Sequence, residues 1–319
     1  MKLLRTLRRE GVLGINRRNH EYTLRWNPRR LYPSVDDKLA TKRLCQAAGI
    51  PIPGLIAAAR RQAEVRAMID QIADLSHFVL KPAHGAMGNG ILVVRSHEGG
   101  RWQRTGGRPL TSEDLRYHAA SIISGLYALG GQPDVAFVEE LLEVHPALAE
   151  ISAEGVPDVR VIVHRGIPIM SMTRLPTHRS RGRANLHQGA IGAGVELATG
   201  RILHAVLDGA PITRHPDTDR AVLGVLVPSF SRVLEIAVAA TDQTGLGYVG
   251  ADVVVDAKKG PVVLELNARP GLAIQAANRA GLLPRLRAVS ERAQSGAPLA
   301  ERIALGIEIA RVARTLERA

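Results

Sequence analysis

YVGADVVVDAKKGPVVLELNARPG (248–271) reads as a β-hairpin with an irregularity on one face. Two nearly continuous apolar runs, YVGADVVVD and PVVLELNA, flank the turn AKKG. Glu265 and Asn267 interrupt the second run two positions apart, and residues i and i+2 of a strand point to the same face. Burying both without partners would cost roughly a few kcal/mol each, so something sits against that face. With the turn centred on Lys258 and Lys259, Asp252 falls opposite Glu265 and Asn267 is a diagonal neighbour. Two carboxylates and an amide oxygen then converge on one patch. An oxygen-only set suits a hard ion such as Mg²⁺, which combines a few carboxylate oxygens with waters and substrate phosphates. Asp252, Glu265 and Asn267 are therefore the candidate metal ligands. A solvated sheet face would account for Asp252 alone but not for a Glu-x-Asn pair flanked by apolar residues.

A second feature lies upstream. KPAHGAMGNGILVV (81–94) carries glycines at 85, 88 and 90. A P-loop or a dinucleotide fingerprint would open into a helix. Here a strand, GILVVR (90–95), follows, and HFVLKP (77–82) precedes. The pattern predicts a hairpin tip whose bare backbone N–H groups can approach phosphates, with Lys81 reaching them from the end of the first strand.

The rest of the chain sorts around these hairpins. Residues 1–35 are basic and irregular, and within them LRWNPRRLYP (24–33), punctuated by Pro28 and Pro33, reads as an extended arm. A helix is expected from about Ser34–Asp37 to Gly49, and others over about 61–74, 112–129 and 219–243. VAFVEELL (135–142) reads as a strand, and DVRVIVHRGIPIMSMTR (158–174) as a hairpin turning at Arg165-Gly166. PTHRSRGRANLHQGAIGAGV (176–195) has no apolar period and reads as a loop. The tail 298–316 is helical, with apolar residues at 299, 303, 307 and 310 that dock on their own lobe or on another copy. Strands and helices alternate and several strand pairs read as antiparallel, so the fold class is α+β.

Composition sets limits. The 319 residues are 45% hydrophobic and 23% charged, as in globular chains. The opening MKLLRTLRREGVLG lacks a continuous apolar core, which argues against an export signal. No run approaches the roughly 20 apolar residues of a membrane helix. The single Cys45 rules out an internal disulfide framework, and the cytoplasm is the expected compartment. Of the 42 basic residues only six are Lys, and the net charge is +12. Arginine grips phosphates and carboxylates in bidentate fashion, so an acidic substrate or partner is expected. With aromatics at 3% and no stacking residues interleaved in the basic segments, nucleic acid is not expected as the main ligand.

Seven segments occur in an order that resembles the ATP-grasp carboxylate–amine ligases, most closely the RimK-like glutamate ligases. They are DKLATKRLCQAAGIPIP, VLKPAHGAMGNGILVV, FVEELLE, DVRVIVHRGIPI, NLHQG, GADVVVD and LELNARPG, spanning about 36–275. The resemblance implies an ATP-grasp fold with ATP held between two α+β lobes. It divides the chain into an arm (1–37), an N-lobe with the glycine lid (38–133), a C-lobe with the metal site (134–290) and a helical tail (291–319). Lys38 and Lys81 would contact the ATP phosphates, and His84, Gly85, Ala86, Met87, Gly88 and Gly90 would line the lid. Glu139, Glu140, Leu141 and Leu142 match the segment whose backbone meets adenine. Glu140 and Glu143 both remain open as the ribose acceptor. Asp252, Glu265 and Asn267 match the family's ligands for Mg²⁺, two ions being implied, with Mn²⁺ as a substitute.

The implied chemistry is amide or peptide bond formation through an acyl phosphate, adding glutamate or another amino acid to a peptide or protein. Arg160, Arg174 and Arg183 are the candidates for charge stabilisation. Arg160 shares a strand face with Ile162, which turns it inward toward the metal hairpin. Asn185 and His187 lie with Arg183 in the stretch that the family places near phosphates. An ATP-grasp kinase or a nucleotide-binding partner subunit are the alternative functions. Two departures from the family stand out. About 35 residues precede the DK pair where members carry an α/β domain, and VHPALAEISAEGVP (144–157) is inserted before DVR. Either the arm, with Arg17, Arg18, Arg25, Arg29 and Arg30, supplies substrate contacts, or another subunit completes the site, as a homo-oligomer or a partner chain.

Overall fold

The computed structural model describes residues 6, 7, 9–85, 88–104 and 107–318. They form two compact units. The smaller holds 37–39 and 53–142; the larger holds the chain up to Asp36, 40–52 and everything from Glu143 onward.

Helix α1 (Lys38–Ala47) begins in the smaller unit and continues in the larger. The helix expected from Ser34 is interrupted: a short turn, Pro33–Asp36, precedes α1, and Asp37 accepts from Leu39 N–H at 2.8 Å. Gly49, with φ +66°, follows α1 in the left-handed conformation that closes helices. The smaller unit continues through β1 (Leu55–Ala59), α2 (Val65–Gln71), β2 (Phe78–Pro82), β3 (Leu92–Glu98), β4 (Arg101–Arg104), α3 (Ser112–Ile123) and β5 (Ala136–Glu139). Its antiparallel sheet runs β1-β5-β2-β3-β4. Met68 and Ile69 of α2 and Leu115 and Ile122 of α3 pack with Phe78, Leu80 and Val94 in one core. Helix α3 starts at a capping box in which Thr111 Oγ1 accepts from Asp114 N–H and the Asp114 carboxylate from Thr111 N–H. It stops at Ile123, short of the expected 129, because Gly125 turns the chain at φ +85°.

The larger unit is built on a seven-stranded antiparallel sheet: β6 (Asp158–His164), β7 (Ile167–Leu175), β8 (Ile191–Val195), β9 (Ile202–Leu207), β10 (Ala210–Pro211), β11 (Tyr248–Asp256) and β12 (Gly260–Asn267). Its order is β10-β9-β8-β7-β6-β11-β12. The β6–β7 turn falls at Arg165-Gly166, both with positive φ, as the sequence implies. Helix α4 (Phe230–Asp242) covers one face with Val161, Val163, Val253 and Val255 beneath it. The other face carries α5 (Ile274–Asn278) and α6 (Leu283–Arg292), over Ile162, Met170, Met172 and Tyr248. Helix α7 (Leu299–Arg318) docks on its own unit through Leu299, Ile303, Ile307 and Ala310.

Three expectations fail here. The segment 219–229 is irregular, because Gly224 and Pro228 break the helix that was read from 219. The tract 176–195 ends in a strand, β8, whose small residues weaken its apolar signal. The stretch read as extended is not: Arg29–Leu31 forms a 3₁₀ turn, and the irregular basic stretch before it is helical. Ile15–Arg17 is α-helical and passes into a π-helix over Arg18–Leu24. The π-helix buries Arg18, Tyr22 and Thr23, and Asn27 is buried just beyond its end. The Asn27 amide enters the end of the β11–β12 pair: Nδ2 donates to Tyr248 O (2.7 Å) and Ala268 O (2.8 Å), and Oδ1 accepts from Tyr248 N–H (2.9 Å).

Candidate active site

Beside its turn the late hairpin is one residue out of the inferred register, Asp256 pairing with Gly260 and Val254 with Val262, and a bulge restores the inferred pairing at Asp252. Asp252 pairs with Glu265, and Gly250 with Asn267, with a bulge just beyond Asp252. Arg160 of β6 lies directly opposite Asp252, and Asp158 opposite Arg174 of β7. Directly paired residues share a face, so a polar row crosses four strands whose other faces are apolar. Gly250 keeps that face open to the segment after β12, since a Cβ there would lie 2.7 Å from Pro270.

Arg160 grips Asp252 with two bonds, Nε to Oδ1 and Nη2 to Oδ2, both 2.7 Å. Arg174 binds Asp158 in the same forked manner and adds Nη2 to Asp252 Oδ2 at 2.8 Å. The inward aim read for Arg160 is therefore correct. Arg174 lies within β7 and is committed to two carboxylates. Asn267 Nδ2 donates to Asp252 Oδ2 at 3.2 Å, which turns its oxygen away from Asp252. Glu265 is half-buried beside them. Asp252 is 2% exposed; burial alone would raise its pKa, but Arg160 and Arg174 outweigh burial and hold it low. Asp158 goes the other way: burial pushes it up, and the Asp252 charge adds to that push against Arg174. Burial would lower Arg174, yet Asp158 and Asp252 raise it above the ordinary arginine range. The cluster thus holds two cations against three acids. Asp158, two residues before Arg160 on the same face, was missed in the sequence although that spacing signals it.

These residues fit a divalent ion. Glu265 and the Asn267 oxygen offer hard donors with open lone pairs, whereas Asp252 already accepts four bonds, about as many as a carboxylate's lone pairs allow, so it ligates where one of those donors gives way. No group of three or more His, Cys, Asp or Glu side chains forms a metal cage among the described residues. Two carboxylates and an amide fill only part of an octahedron, which suits an ion that also holds phosphate oxygens and water.

In the smaller unit, Lys81 and Glu139 form a buried ion pair across β2 and β5, with Lys81 Nζ 5.4 Å from the Phe137 ring centroid. Lys38 Nζ donates to Gly85 O at 2.6 Å and its backbone N–H to Ala83 O at 3.1 Å, so it fastens the base of the glycine turn. The turn is anchored further by His84, whose backbone N–H and Nδ1–H both donate to buried Asp134. Gly85 is a close approach, since a Cβ there would sit 2.2 Å from Pro82 Cγ. Gly88 and Gly90 have φ of +77° and +75°. His118 Nε2–H donates to Gly90 O at 2.9 Å, and burial lowers its pKa. Ala86 and Met87 lie outside the described residues. Asp134 and His118 were not among the sequence candidates, because only tertiary packing brings them to the turn.

Glu140 closes on Gly54, accepting at Oε1 from its N–H (2.7 Å) while donating its own N–H to Gly54 O. Leu141 is half-buried and Leu142 buried. In the larger unit, Glu143 is exposed and accepts from Lys258 Nζ at 2.6 Å. The loop 176–190 is closed at its neck by Thr177 Oγ1–H donating to Gly189 O at 2.8 Å. The insertion braces it: Ala153 N–H donates to Pro176 O, and Glu154 pairs with His178. Asn185 Oδ1 accepts from His187 N–H at 3.0 Å and caps a short turn. Arg183 and His187 are exposed there, and among the described residues neither is bonded to Asp252 or its partners.

Residues 17–291 match the family model described as sugar-transfer associated ATP-grasp. The chain belongs to that family. The ATP-grasp chain thus has the α+β fold anticipated for it; the match does not speak to a RimK-like subgroup. Among solved structures, the ATP-grasp ligase PsnB complexed with minimal precursor is 19% identical, with a TM-score of 0.43, over 88% of this chain and 64% of that one. The D-cycloserine synthetase DcsG is 17% identical, with a TM-score of 0.46, over 84% and 73%. The D-alanine–D-alanine ligase from Bacillus anthracis complexed with ATP is 14% identical, with a TM-score of 0.44, over 90% and 70%. The ATP-grasp chain spans less than two thirds of the PsnB chain. No curated protein matches it. Among the described residues no helix is long and apolar enough to cross a membrane.

Proposed function

We propose that this ATP-grasp chain is an ATP- and Mg²⁺-dependent carboxylate–amine ligase. The observation that carries the reading is the polar row in which Asp252 faces Glu265 and Asn267 while Arg160 and Arg174 hold it from the other side. In the reaction, a substrate carboxylate oxygen attacks the γ-phosphorus of ATP and ADP leaves. The amine nitrogen then attacks the acyl carbon, phosphate departs with the bonding pair, and the nitrogen loses its proton. Negative charge builds on transferring oxygens at each step, and fixed cations stabilise it.

Asp252, Glu265 and Asn267 would hold the metal, which supplies charge neutralisation at phosphate oxygens. Arg160 and Arg174, already oriented by carboxylates, present guanidinium charge without needing to reorganise. Arg183 is the loop cation available to the same phosphates. In the smaller unit, Lys81 and the glycine turn held by Lys38, His84 and Asp134 are the phosphate-binding set, and the backbone of 139–142 is the adenine-binding set. Glutamate or another amino acid joined to a peptide or protein is the substrate reading drawn from the RimK-like resemblance. The family's description as sugar-transfer associated adds carboxylated and amino sugars to the candidates.

The test is ADP release from purified protein with ATP and Mg²⁺ over amino acids, dipeptides, acidic peptides and acidic sugars, with product masses. Hydroxylamine should trap the acyl phosphate as a hydroxamate, and the ligated product should gain the mass of the amine less water. A stable phosphorylated alcohol would instead establish a kinase. Nucleotide binding without turnover over every pool would make the chain a nucleotide-binding subunit.

A further inference from the structure

Arg18 is a buried cation without an anion. Its residue is 7% exposed, Nη1 donates to Pro270 O at 2.9 Å, and Nε is buried with no hydrogen-bond partner. Among the described residues no carboxylate lies within ion-pair distance of it. A buried guanidinium with an unspent donor is costly unless an acceptor is supplied. The other arm arginines do not share this position: Arg17, Arg25, Arg29 and Arg30 are exposed, and Arg17 pairs with Glu21.

The neighbours of Arg18 deepen the shortage of acceptors. Arg269, one residue before the carbonyl that Arg18 binds, is exposed; its guanidinium carbon is 5.4 Å from the Tyr32 ring centroid, and it too has no ion pair among the described residues. Tyr248 is fully buried and its hydroxyl has no partner. Burial raises the Tyr248 pKa, so the phenol keeps its proton and remains a donor. Burial lowers the pKa of Arg18, and the charge of Arg269 adds to that. Arg18 binds the Pro270 carbonyl and Arg269 stands one residue before it, and among the described residues no acid pairs with either guanidinium. The segment they share, Ala268–Pro270, directly follows the candidate ligand Asn267, and Asn27 and Arg18 pin its carbonyls.

We infer that Arg18 and Arg269 form a binding site for a carboxylate, the planar anion that a guanidinium fork matches best. The site lies beside the hairpin that the ligase reading makes the metal centre. It deepens that reading by giving a substrate's acid group a place, with the arm as a contributor. It is tested without nucleotide or metal, so either claim can fail alone.

The test uses full-length protein labelled with ¹⁵N-arginine, in which the buried Arg18 Nε–H exchanges slowly and is identified by its loss in Arg18→Lys. Glutarate is the probe, with uncharged glutaramide and inorganic phosphate as controls. Glutarate should move the Arg18 signal saturably and glutaramide should not. Arg269→Gln should weaken glutarate binding at least tenfold while the Arg18 signal persists. An unmoved signal, unchanged affinity in Arg269→Gln, or a shift with phosphate and none with glutarate would overturn the inference. Should Arg18→Lys fail to fold, Arg269→Gln alters an exposed side chain and carries the test, the Arg18 signal then being the one displaced in Tyr248→Phe.

Discussion

Asp252 accepts four bonds, from Arg160 twice, Arg174 and Asn267, while Glu265, directly across the hairpin, is half-buried beside it. The two acids should therefore answer the same isosteric change differently. Asp252→Asn leaves two mostly buried guanidinium groups facing an amide, and breaking such a pair costs about 3 kcal/mol. Glu265→Gln should stay within about 0.5 kcal/mol of the native protein. Urea-unfolding midpoints at a common slope measure both, and equal losses would contradict the geometry. With nucleotide turnover as a second readout, Glu265→Gln and Asn267→Asp should raise the Mg²⁺ concentration needed for ADP formation. Much of this site was legible from one strand, because period-two alternation fixes which side chains share a face. What pairs with Arg174 was not legible: that depends on β6 and β7 lying in register, a tertiary fact that places Asp158 opposite it.

At the level of elements, most strands announced by apolar runs were read, and β1, β4, β8, β9 and β10 were not. β1 is LIAAA, mostly alanine with little intrinsic strand preference, and β4 is RWQR, polar except for one buried Trp. Both are edge strands of their sheet, where one partner decides the conformation. The arm went unread as helix for a related reason: Arg18–Leu24 winds as a π-helix, whose period is neither that of an α-helix nor that of a strand. Its Tyr22 and Trp26 rings meet His164 of β6 edge-on, at centroid distances of 5.6 and 5.5 Å. His164 is fully buried, and burial lowers its pKa to about 4. The unfolded chain takes up a proton near pH 6.5 that the folded protein refuses. Stability is thus fully present above about 6.5 and declines as pH falls toward 4, by about 2 kcal/mol at pH 5. His164→Phe keeps a ring against the arm but cannot titrate, so its melting temperature should change less than the native value between pH 7 and 5. Parallel curves for the two proteins would show that His164 does not carry the acid sensitivity.

The whole molecule carries a net charge of +12, and this bears on polyanions differently from the way the site bears on nucleotides. Exposed arginines such as Arg29, Arg30, Arg181 and Arg183 create a diffuse field without a stacking surface. Lys81 lies at 4% exposure against Glu139 and contributes little to that field. Replacing both, as Lys81→Met with Glu139→Gln, removes the two charges together and avoids leaving one buried alone. This double variant should lose ATP binding and keep its affinity for duplex DNA. That DNA affinity should fall steeply, by orders of magnitude, between about 50 and 200 mM salt, as counterion release requires. ATP binding by the native protein should change far less over the same range, since it rests on buried cations that salt screens poorly. The reverse pattern, DNA binding that resists salt and depends on Lys81, would transfer the lysine from a nucleotide site to a nucleic-acid surface and take the ligase proposal with it.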